Sequence, residues 1–449
     1  MAGRGRARKS DALLLARWHT EYVSAAGLAE RLGFSVARRG SVGNRILGID
    51  LARAVAIVGM VMVHIGPIRT EGFGAVGEAY RIPHGRASIL FIVVAGVGVS
   101  LLAGSRTAER LRDAAMRLGW RILILLPLGL ALQALPTGVA VILQYYALYF
   151  LIAMFAVRLP TRVLLGAAGA FAVLGPVAVL GARSVQPEWF VGPIPPWNEF
   201  GHVARDLVIS GTYPTVVWAA PLLAGMWIGL QKLSSARLPV LLLVGGAALA
   251  GLSYAACGVL AGLFSEATSR SEWRQLFAIV PHNEMPLWVI SSTAIAVAVV
   301  GGAILLARAV PRMTWPVVAM GQTALTIYVL HLFVLAERPE WLRRETFEAA
   351  WGLAGRFVLI AVVLATLWRV FAPRGPIELL LHLPWWWRDR RRVGSEQPAL
   401  RPGPETTTAL APAVSGAAAV ASLPARPPTW RESLVESRAG HASPLPGES

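Results

Sequence analysis

One apolar segment of the sequence carries three polar residues that could do chemistry. It reads RILGIDLARAVAIVGMVMVHIGP, and it contains Asp50, Arg53 and His64. At about 100° per residue, an eleven-residue step returns to nearly the same helix face, so Arg53 and His64 share a stripe roughly 16 Å long. Ionisable residues inside a bilayer are costly and are therefore candidates for function. We predict that this segment joins a charged pair near one membrane surface to a titratable base near the other.

The charged pair at the start of this segment has two interpretations. Asp50 and Arg53 are three residues apart, a spacing at which side chains on a helix surface can pair. They could form only a salt bridge at the cytoplasmic interface. Alternatively, Arg53 binds a phosphate of a cytoplasmic donor while Asp50 orients it, because a planar guanidinium meets phosphate with two hydrogen bonds. Arg117 and Arg121, one turn apart on a later segment, either extend to the membrane surface or add to the same anionic nucleotide site.

Two histidines are candidates for a general base. His64 closes the first apolar segment, and His84 precedes the second one in the sequence RIPHGR. The two arginines beside His84 favour a neutral imidazole, which is the form that a base needs. His64 could instead be a hydrogen-bonded residue at the membrane interface and His84 a polar loop residue, so the choice between them stays open.

A second polar stripe lies late in the chain. Tyr328 and His331 are neighbours on one helix face, and either side chain could stabilise an oxyanion. The plainer interpretation is that they bond to a neighbouring helix. Weaker signals come from the residues QYY at 144–146, which we interpret as packing, and from the outer loop HNE at 282–284, which offers acid–base or sugar-binding chemistry.

The composition places these residues in a membrane protein. Of 449 residues, 55% are hydrophobic and 15% are charged, whereas a soluble chain has about 25% charged residues. Cys257 is the only cysteine, which excludes disulfides and cysteine-rich metal sites, and we predict no metal. The net charge of +17 does not indicate nucleic-acid binding, because the basic residues cluster at the termini and between apolar runs. The predicted fold is therefore an all-α, polytopic membrane helix bundle.

Ten apolar segments divide the chain into predicted transmembrane helices. They lie near 47–66, 86–103, 116–134, 137–157, 163–182, 214–231, 238–264, 286–307, 315–336 and 353–372. The four connecting loops on one side hold nine Arg and Lys in 30 residues, and the five opposite loops hold nine in 89. Because basic loops stay in the cytoplasm, we predict that both termini are cytoplasmic in a multi-pass protein of the inner (plasma) membrane.

Four regions follow from this division. Residues 1–45 form a basic cytoplasmic N-terminal segment, and residues 46–372 form the ten-helix membrane domain. Residues 373–393, with three tryptophans followed by arginines, are predicted to lie at the membrane interface. Residues 394–449 are rich in Pro, Ala, Ser and Thr, which predicts a disordered cytoplasmic tail.

The order of these motifs resembles a known family. The first segment, with its Asp-x-x-Arg motif and a polar residue closing the span, resembles the opening of heparan-alpha-glucosaminide N-acetyltransferase-type membrane proteins. The stretch GRASILFIVVAGVGVSLL is similar to the second helix of their bacterial relatives. A late motif also resembles the family, namely Gly321-x-x-x-Leu325-x-x-Tyr328-x-x-His331. The spacing of Arg53 and His64 resembles that in bacterial membrane O-acyltransferases that modify envelope sugars.

The resemblance implies an acyltransferase. It implies that an acetyl or other acyl group passes from cytoplasmic acyl-CoA to a sugar or other envelope acceptor on the far side of the membrane. In this hypothesis Asp50, Arg53, Arg117 and Arg121 lie near the phosphates of the donor. The catalytic candidates are a base, His64 or His84, and an oxyanion donor, Tyr328 or His331. Membrane lipids surround the protein, no nucleic acid takes part, and an oligomer is left open.

Two other functions remain open at the level of the sequence. Polar stripes across two spans would also suit a transporter or flippase of a small solute or envelope precursor. Against this interpretation, no acidic residue lies deep in any predicted span to couple proton movement. A third interpretation is an envelope scaffold that has lost its chemistry.

Overall fold

Apolar runs of this length fold as helices, because a bilayer offers no water to the backbone N–H and C=O groups. The computed structural model describes residues 46–66, 73–190, 195, 197–263, 276–342 and 346–385. Every regular element within these ranges is helical, so the predicted all-α class is confirmed. The basic segment 1–45, the tail 394–449 and the arginine-rich end of the interfacial segment lie outside the described residues.

We number the helices in chain order. They are α1 (Leu47–Ile65), α2 (Gly74–Arg81), α3 (Arg86–Ala103), α4 (Ala108–Gln133), α5 (Leu143–Ala156), α6 (Thr161–Val185), α7 (Phe200–Arg205, continued by a π-helical turn Asp206–Ser210), α8 (Thr215–Gly229), α9 (Arg237–Leu263), α10 (Pro286–Ala309), α11 (Pro311–Gln322), α12 (Ala324–Glu337), α13 (Phe347–Phe371) and α14 (Pro376–Leu380). Two short 3-10 turns, Pro187–Phe190 and Pro339–Leu342, complete the described elements.

The described residues contain seven helices that are long and apolar enough to cross a membrane. In this count α2 and α3 form one continuous span, Gly74–Ala103. Two bent pairs, α7 with α8 at 55° and α11 with α12 at 64°, raise this number to nine if each pair is one span. These helices indicate a multi-pass membrane protein. The remaining predicted segment contains α5, which has 14 residues against the ~20 that a span needs. The count of ten and the cytoplasmic position of the termini therefore stay predictions.

The predicted span 315–336 is broken in the middle. Helix α11 ends at Gln322, and α12 begins at Ala324 in a different direction. The backbone N–H groups of Leu325 and Thr326, in the first turn of α12, donate to Glu378 Oε1 at 2.7 and 3.2 Å. The Thr326 hydroxyl donates to Glu378 Oε2 at 2.6 Å. A carboxylate at a helix N-terminus satisfies donors that have no partner within the helix, so Glu378 stabilises the break.

Close helix crossings bring the polar stripes together. Where α1 crosses α11, a Cβ atom on Gly321 would lie 1.8 Å from the backbone oxygen of Asp50. Where α3 crosses α8, Cβ atoms on Gly96 and Gly225 would lie 2.1 and 2.0 Å from backbone oxygens of the opposite helix. Small residues allow membrane helices to approach this closely. The approach at Gly321 places the polar stripe of α1 directly against the broken helix pair.

The segment after α13 folds back against α4. Trp120 Nε1 donates to the backbone oxygen of Leu380 at 2.9 Å, and Trp385 Nε1 donates to Asp113 Oδ1 at 3.2 Å. The Arg117 guanidinium lies 4.8 Å from the centre of a Trp385 ring. Trp385 is buried. This part of the predicted interfacial segment is therefore attached to the helix bundle by specific contacts.

Candidate functional site

A basic cavity lies beside the broken helix. Its volume is about 260 Å³, and we call it the arginine cavity. The polar side chains that line it come from five helices and the segment after α13: Arg53, Arg121, Tyr146, Gln322, Tyr328, Glu378 and His382. Three of the residues predicted from the sequence, Arg53, Arg121 and Tyr328, therefore meet in one cavity. Gly98 on α3 leaves room for Arg53, whose Nη2 would lie 3.5 Å from a Cβ atom there.

The Asp50–Arg53 pair exists, and it belongs to a longer chain of contacts. Arg53 Nη1 donates to Asp50 Oδ1 at 2.5 Å, and Gln322 Nε2 donates to Asp50 Oδ2 at 3.1 Å. Gln322 Oε1 in turn accepts from Arg369 Nε at 2.6 Å. The Asp50 side chain is 2% exposed, whereas that of Arg53 is 29% exposed. A buried carboxylate thus holds a guanidinium that still lines the cavity, so the salt-bridge and anion-binding interpretations are compatible.

The two arginines of α4 that the sequence indicated for anion binding have different environments. Arg121 lines the arginine cavity, its guanidinium lies 5.9 Å from the centre of the Phe150 ring, and its buried Nε has no hydrogen-bond partner in the described structure. Arg117 does not line this cavity, and its Nε donates to Asp113 Oδ2 at 2.7 Å. Only Arg121 is therefore placed beside Arg53 for binding an anion.

His64 and His331 form a stacked pair at the other end of α1. The Nδ1 atom of His64 lies 3.1 Å from Nε2 of His331, and the ring centres are 5.3 Å apart with an interplanar angle of 7°. His331 Nδ1 contacts the backbone oxygen of Tyr328. A carbonyl oxygen only accepts, so neutral His331 must donate from Nδ1 and accept at Nε2. His64 then donates from its own Nδ1, which assigns its Nε2 as the basic nitrogen.

His84 lies near this pair but has different contacts. It is partly exposed, its ring centre is 6.4 Å from that of Tyr80, and its buried Nδ1 has no hydrogen-bond partner in the described structure. The Tyr80 hydroxyl donates to the backbone oxygen of Met62 at 2.7 Å, which connects α2 to the last turn of α1. Within the described structure, the arginine cavity is not lined by His64, His84 or His331, and neither is the larger cavity described in the next paragraph.

A second polar cavity has a volume of about 470 Å³. We call it the carboxylate cavity because Asp206 and Glu284 both line it. The other side chains lining it with polar atoms are Gln133, Gln144, Tyr145, Arg183, Ser210, Thr212 and His282. Four of these residues have a buried polar atom with no hydrogen-bond partner in the described structure: Gln144 Oε1, Arg183 Nε, Ser210 Oγ and Glu284 Oε1. Buried polar groups are normally satisfied, so this cavity is suited to a polar ligand.

His282 and Glu284 form a carboxylate–histidine pair in the wall of this cavity. His282 Nδ1 lies 3.7 Å from Glu284 Oε1, and Trp218 Nε1 donates to Glu284 Oε2 at 2.5 Å. Burial raises the pKa of the Glu284 carboxyl, and the neighbouring His282 opposes that rise. The His282 ring stacks on Trp218, with 6.2 Å between ring centres, and also contacts Tyr213 and Trp288. The HNE sequence was only a weak signal, because the residues that contact it lie on distant helices, and its acid–base chemistry stays a prediction.

The two cavities share a wall at the start of α5. Gln144 and Tyr145 line the carboxylate cavity, whereas Leu143 and Tyr146 line the arginine cavity. The Tyr328 hydroxyl accepts a hydrogen bond from the backbone N–H of Ile142 at 3.1 Å. Residues 142–146 therefore form a partition, and Tyr328 fixes where it begins. The QYY residues, predicted as packing, do pack through their two tyrosines against neighbouring rings, and they also line the two polar cavities.

Helix α3 runs between the two cavities, so its length gives the distance between them. Gly85, just before this helix, lies beside His282, and Gly98 lies beside Arg53. Thirteen residues at about 1.5 Å each place these points roughly 20 Å apart. Within the described ranges, no three His, Cys, Asp or Glu side chains are grouped so that they could hold a metal ion.

Comparisons with protein-family models, curated proteins and solved structures give no significant match to this chain.

Proposed function

We propose that the chain is a membrane acyltransferase that uses an acyl-CoA donor. The observation that carries this proposal is the partition at residues 142–146, with an arginine-lined cavity on one side and a histidine- and carboxylate-lined cavity on the other. An anionic donor suits the first cavity, and an acceptor with hydroxyl or amino groups suits the second. The arginine cavity is smaller than a whole CoA molecule, so it would receive only a phosphate or the pantetheine arm.

The donor side of the proposal rests on three side chains. Arg53 and Arg121 supply fixed positive charge, and guanidinium groups bind phosphate with paired hydrogen bonds. Tyr328 lines the same cavity, and its hydroxyl oxygen already accepts from Ile142. Its O–H hydrogen therefore stays available to stabilise an oxyanion on the thioester carbonyl. His331 is fully buried and paired with His64, so its proposed role is to orient His64.

The acceptor side completes the reaction. The acceptor oxygen or nitrogen attacks the thioester carbonyl, the C–S bond breaks, and the thiolate of CoA leaves. A histidine near the carboxylate cavity takes the acceptor proton and returns it to the sulfur. With the orientation predicted from the arginine distribution, the donor is cytoplasmic and the acceptor is a sugar or another component of the envelope.

Donor binding in purified protein tests this proposal. Acetyl-CoA should bind the detergent-solubilised wild type, and Arg121→Gln should weaken binding about tenfold, because a charge-assisted hydrogen bond is worth about 1.5–3 kcal/mol. Arg158→Gln is the matched control, since Arg158 lies after α5 and donates to the Met154 backbone oxygen. The proposal fails if acetyl-CoA neither binds nor turns over, or if both arginine variants bind equally well. Normal turnover in both His64→Ala and His84→Ala would exclude these two as the base.

The broken helices favour a transporter or flippase as a second candidate. Gln322 and Ala324, on either side of one break, line the arginine cavity, and Gly211 and Thr212, at the other break, line the carboxylate cavity. Discontinuous helices beside a central site are typical of transporters. Uptake of a labelled solute into proteoliposomes without an acyl donor would favour this function over acyl transfer.

A further inference from the structure

His282 and Glu284 are held in place more firmly than a surface loop requires. Both residues have positive φ angles, 58° and 60°, which non-glycine residues rarely adopt. Such backbone strain persists only where the surroundings enforce it. Here Asn283 Nδ2 donates to the Ala278 backbone oxygen at 2.8 Å, and the Met285 N–H donates to Asn283 Oδ1 at 3.2 Å. The loop thus fixes the two side chains on either side of Asn283.

The two side chains of the His282–Glu284 pair differ in their exposure to the cavity. The Glu284 side chain is 7% exposed and is anchored by Trp218, whereas the His282 side chain is 33% exposed and lines the carboxylate cavity. Because Nδ1 of His282 faces Glu284, the nitrogen left for a ligand is Nε2. Gly85 has no side chain beside Nε2, and a Cβ atom there would lie 3.5 Å from it.

We infer that His282, oriented by Glu284, is the acid–base group that serves the acceptor in the carboxylate cavity. This inference rests on the proposed acyl transfer and names a base that neither the first helix nor the RIPHGR loop supplies. His282 Nε2 takes the proton from the acceptor O–H or N–H as the new bond to the acyl carbon forms. The C–S bond of the donor breaks, and the imidazolium returns the proton to the departing thiolate. Glu284 is a positioning residue, because it acts through His282.

The 3.7 Å separation of His282 and Glu284 is consistent with this role. It is an ion-pair distance and is too long for a hydrogen bond. Catalytic hydrogen bonds are often long without substrate and shorten in the bound complex. A carboxylate beside a histidine fixes the tautomer and stabilises the imidazolium that forms during the reaction.

The experiment measures release of CoA from acetyl-CoA by purified protein, with water and then simple sugars as acceptors. His282→Asn is the main variant, because asparagine tolerates a positive φ better than most residues. We expect kcat to fall about 100-fold or more, the range for loss of a general base, with the donor KM unchanged. His282→Gly also suits the backbone and leaves space for imidazole, so added imidazole should restore part of its activity.

Two further variants separate catalysis from folding. Glu284→Gln retains an acceptor for Trp218 Nε1 but removes the charge, so kcat should fall while the thermal unfolding temperature and the donor KM stay close to wild type. His202→Asn is the control, because His202 lies on α7 and does not line the carboxylate cavity. If the His282→Asn variant releases CoA as fast as the wild type, the inference about His282 is overturned, but the proposed acyl transfer is not. A wild type that releases no CoA would overturn both proposals.

Discussion

Asp50 on α1 and Gln322 on α11 are joined by a 3.1 Å hydrogen bond, although 272 residues separate them in the sequence. Gln322 also accepts from Arg369 on α13, so one amide connects a buried carboxylate to a second arginine. The bond places the polar stripe of α1 against the end of the broken helix. It therefore contributes both to the fold and to the shape of the arginine cavity.

The first prediction concerns this network. Asp50→Ala should lower the free energy of unfolding by about 3 kcal/mol, because removing one partner leaves a partly buried arginine uncompensated. Glu78→Ala is the matched control: Glu78 and Arg81 have the same i,i+3 spacing but are 73% and 54% exposed, so the change should be below about 1 kcal/mol. Equilibrium unfolding in mixed micelles measures both. Equal effects of the two substitutions would contradict the structural role of Asp50.

The second prediction tests the crossing of α1 and α11. A methyl group at Gly321 would lie 1.8 Å from the Asp50 backbone oxygen, and neither backbone can move away cheaply. Gly321→Ala should therefore destabilise the protein by about 2 kcal/mol or more, as expected for overpacking. Gly355→Ala on α13 is the control, because nothing lies within 4 Å of its Cβ position. Thermal unfolding should show a lower transition temperature for Gly321→Ala and an unchanged one for Gly355→Ala.

The third prediction concerns the carboxylate that caps α12. Glu378→Gln should cost about 1–2 kcal/mol, since a charged hydrogen-bond acceptor is lost at a helix N-terminus. Its measurable effect should be local: segment 376–385 detaches more readily, and limited proteolysis there becomes faster. Glu348→Gln, at the first turn of α13, should change neither, because Thr346 provides the side-chain cap of that helix. Unchanged proteolysis in Glu378→Gln would argue against this anchor.

The fourth prediction is a pH dependence from His382, which lies on the same segment and lines the arginine cavity. Burial lowers the pKa of His382 to about 4, whereas an unfolded histidine has a pKa of about 6.5. The unfolded state therefore binds a proton first as the pH falls, so stability is present above pH 6.5 and is lost progressively towards pH 4. In His382→Gln the free energy of unfolding should fall less between pH 6.5 and pH 4 than in the wild type, as measured by equilibrium unfolding across this pH range. Parallel profiles would show that His382 does not contribute.

The sequence predicted those parts of the molecule that follow from local composition. Hydropathy alone indicated where the long apolar helices occur but not the short helices α2, α7 and α14, and the i,i+3 spacing predicted the Asp50–Arg53 pair. Hydropathy could not predict the break at Thr323, because Glu378, the residue that satisfies the new helix end, is more than fifty positions away. The proximity of Arg53 to Arg121 was proposed from residue type and is present in the structure.

The sequence could name candidate catalytic residues, but it could not show which of them line a cavity, because that depends on how the helices pack. His64 lies in the last turn of α1 and His84 just before α3, but neither lines one of the two polar cavities within the described structure. His282 occupies that position because Trp218, Tyr213 and Trp288 enclose its ring. Contacts among residues on separate helices leave no periodic signal along the chain. The carboxylate cavity could therefore be recognised only in three dimensions.

The shortness of α5 has a consequence for the electric field across the protein. Its 14 residues extend about 21 Å, against roughly 30 Å for the hydrocarbon core of a bilayer. Polar cavities lie on both sides of its first turn, so solvent entering them would concentrate most of a membrane potential across the partition formed by residues 142–146. A charge moved through that partition would gain or lose about 2.3 kcal/mol per 100 mV over a fraction of the bilayer thickness. Transfer of a neutral acyl group would escape this term, whereas passage of a charged solute would not, so a dependence on voltage would indicate transport of a charged solute.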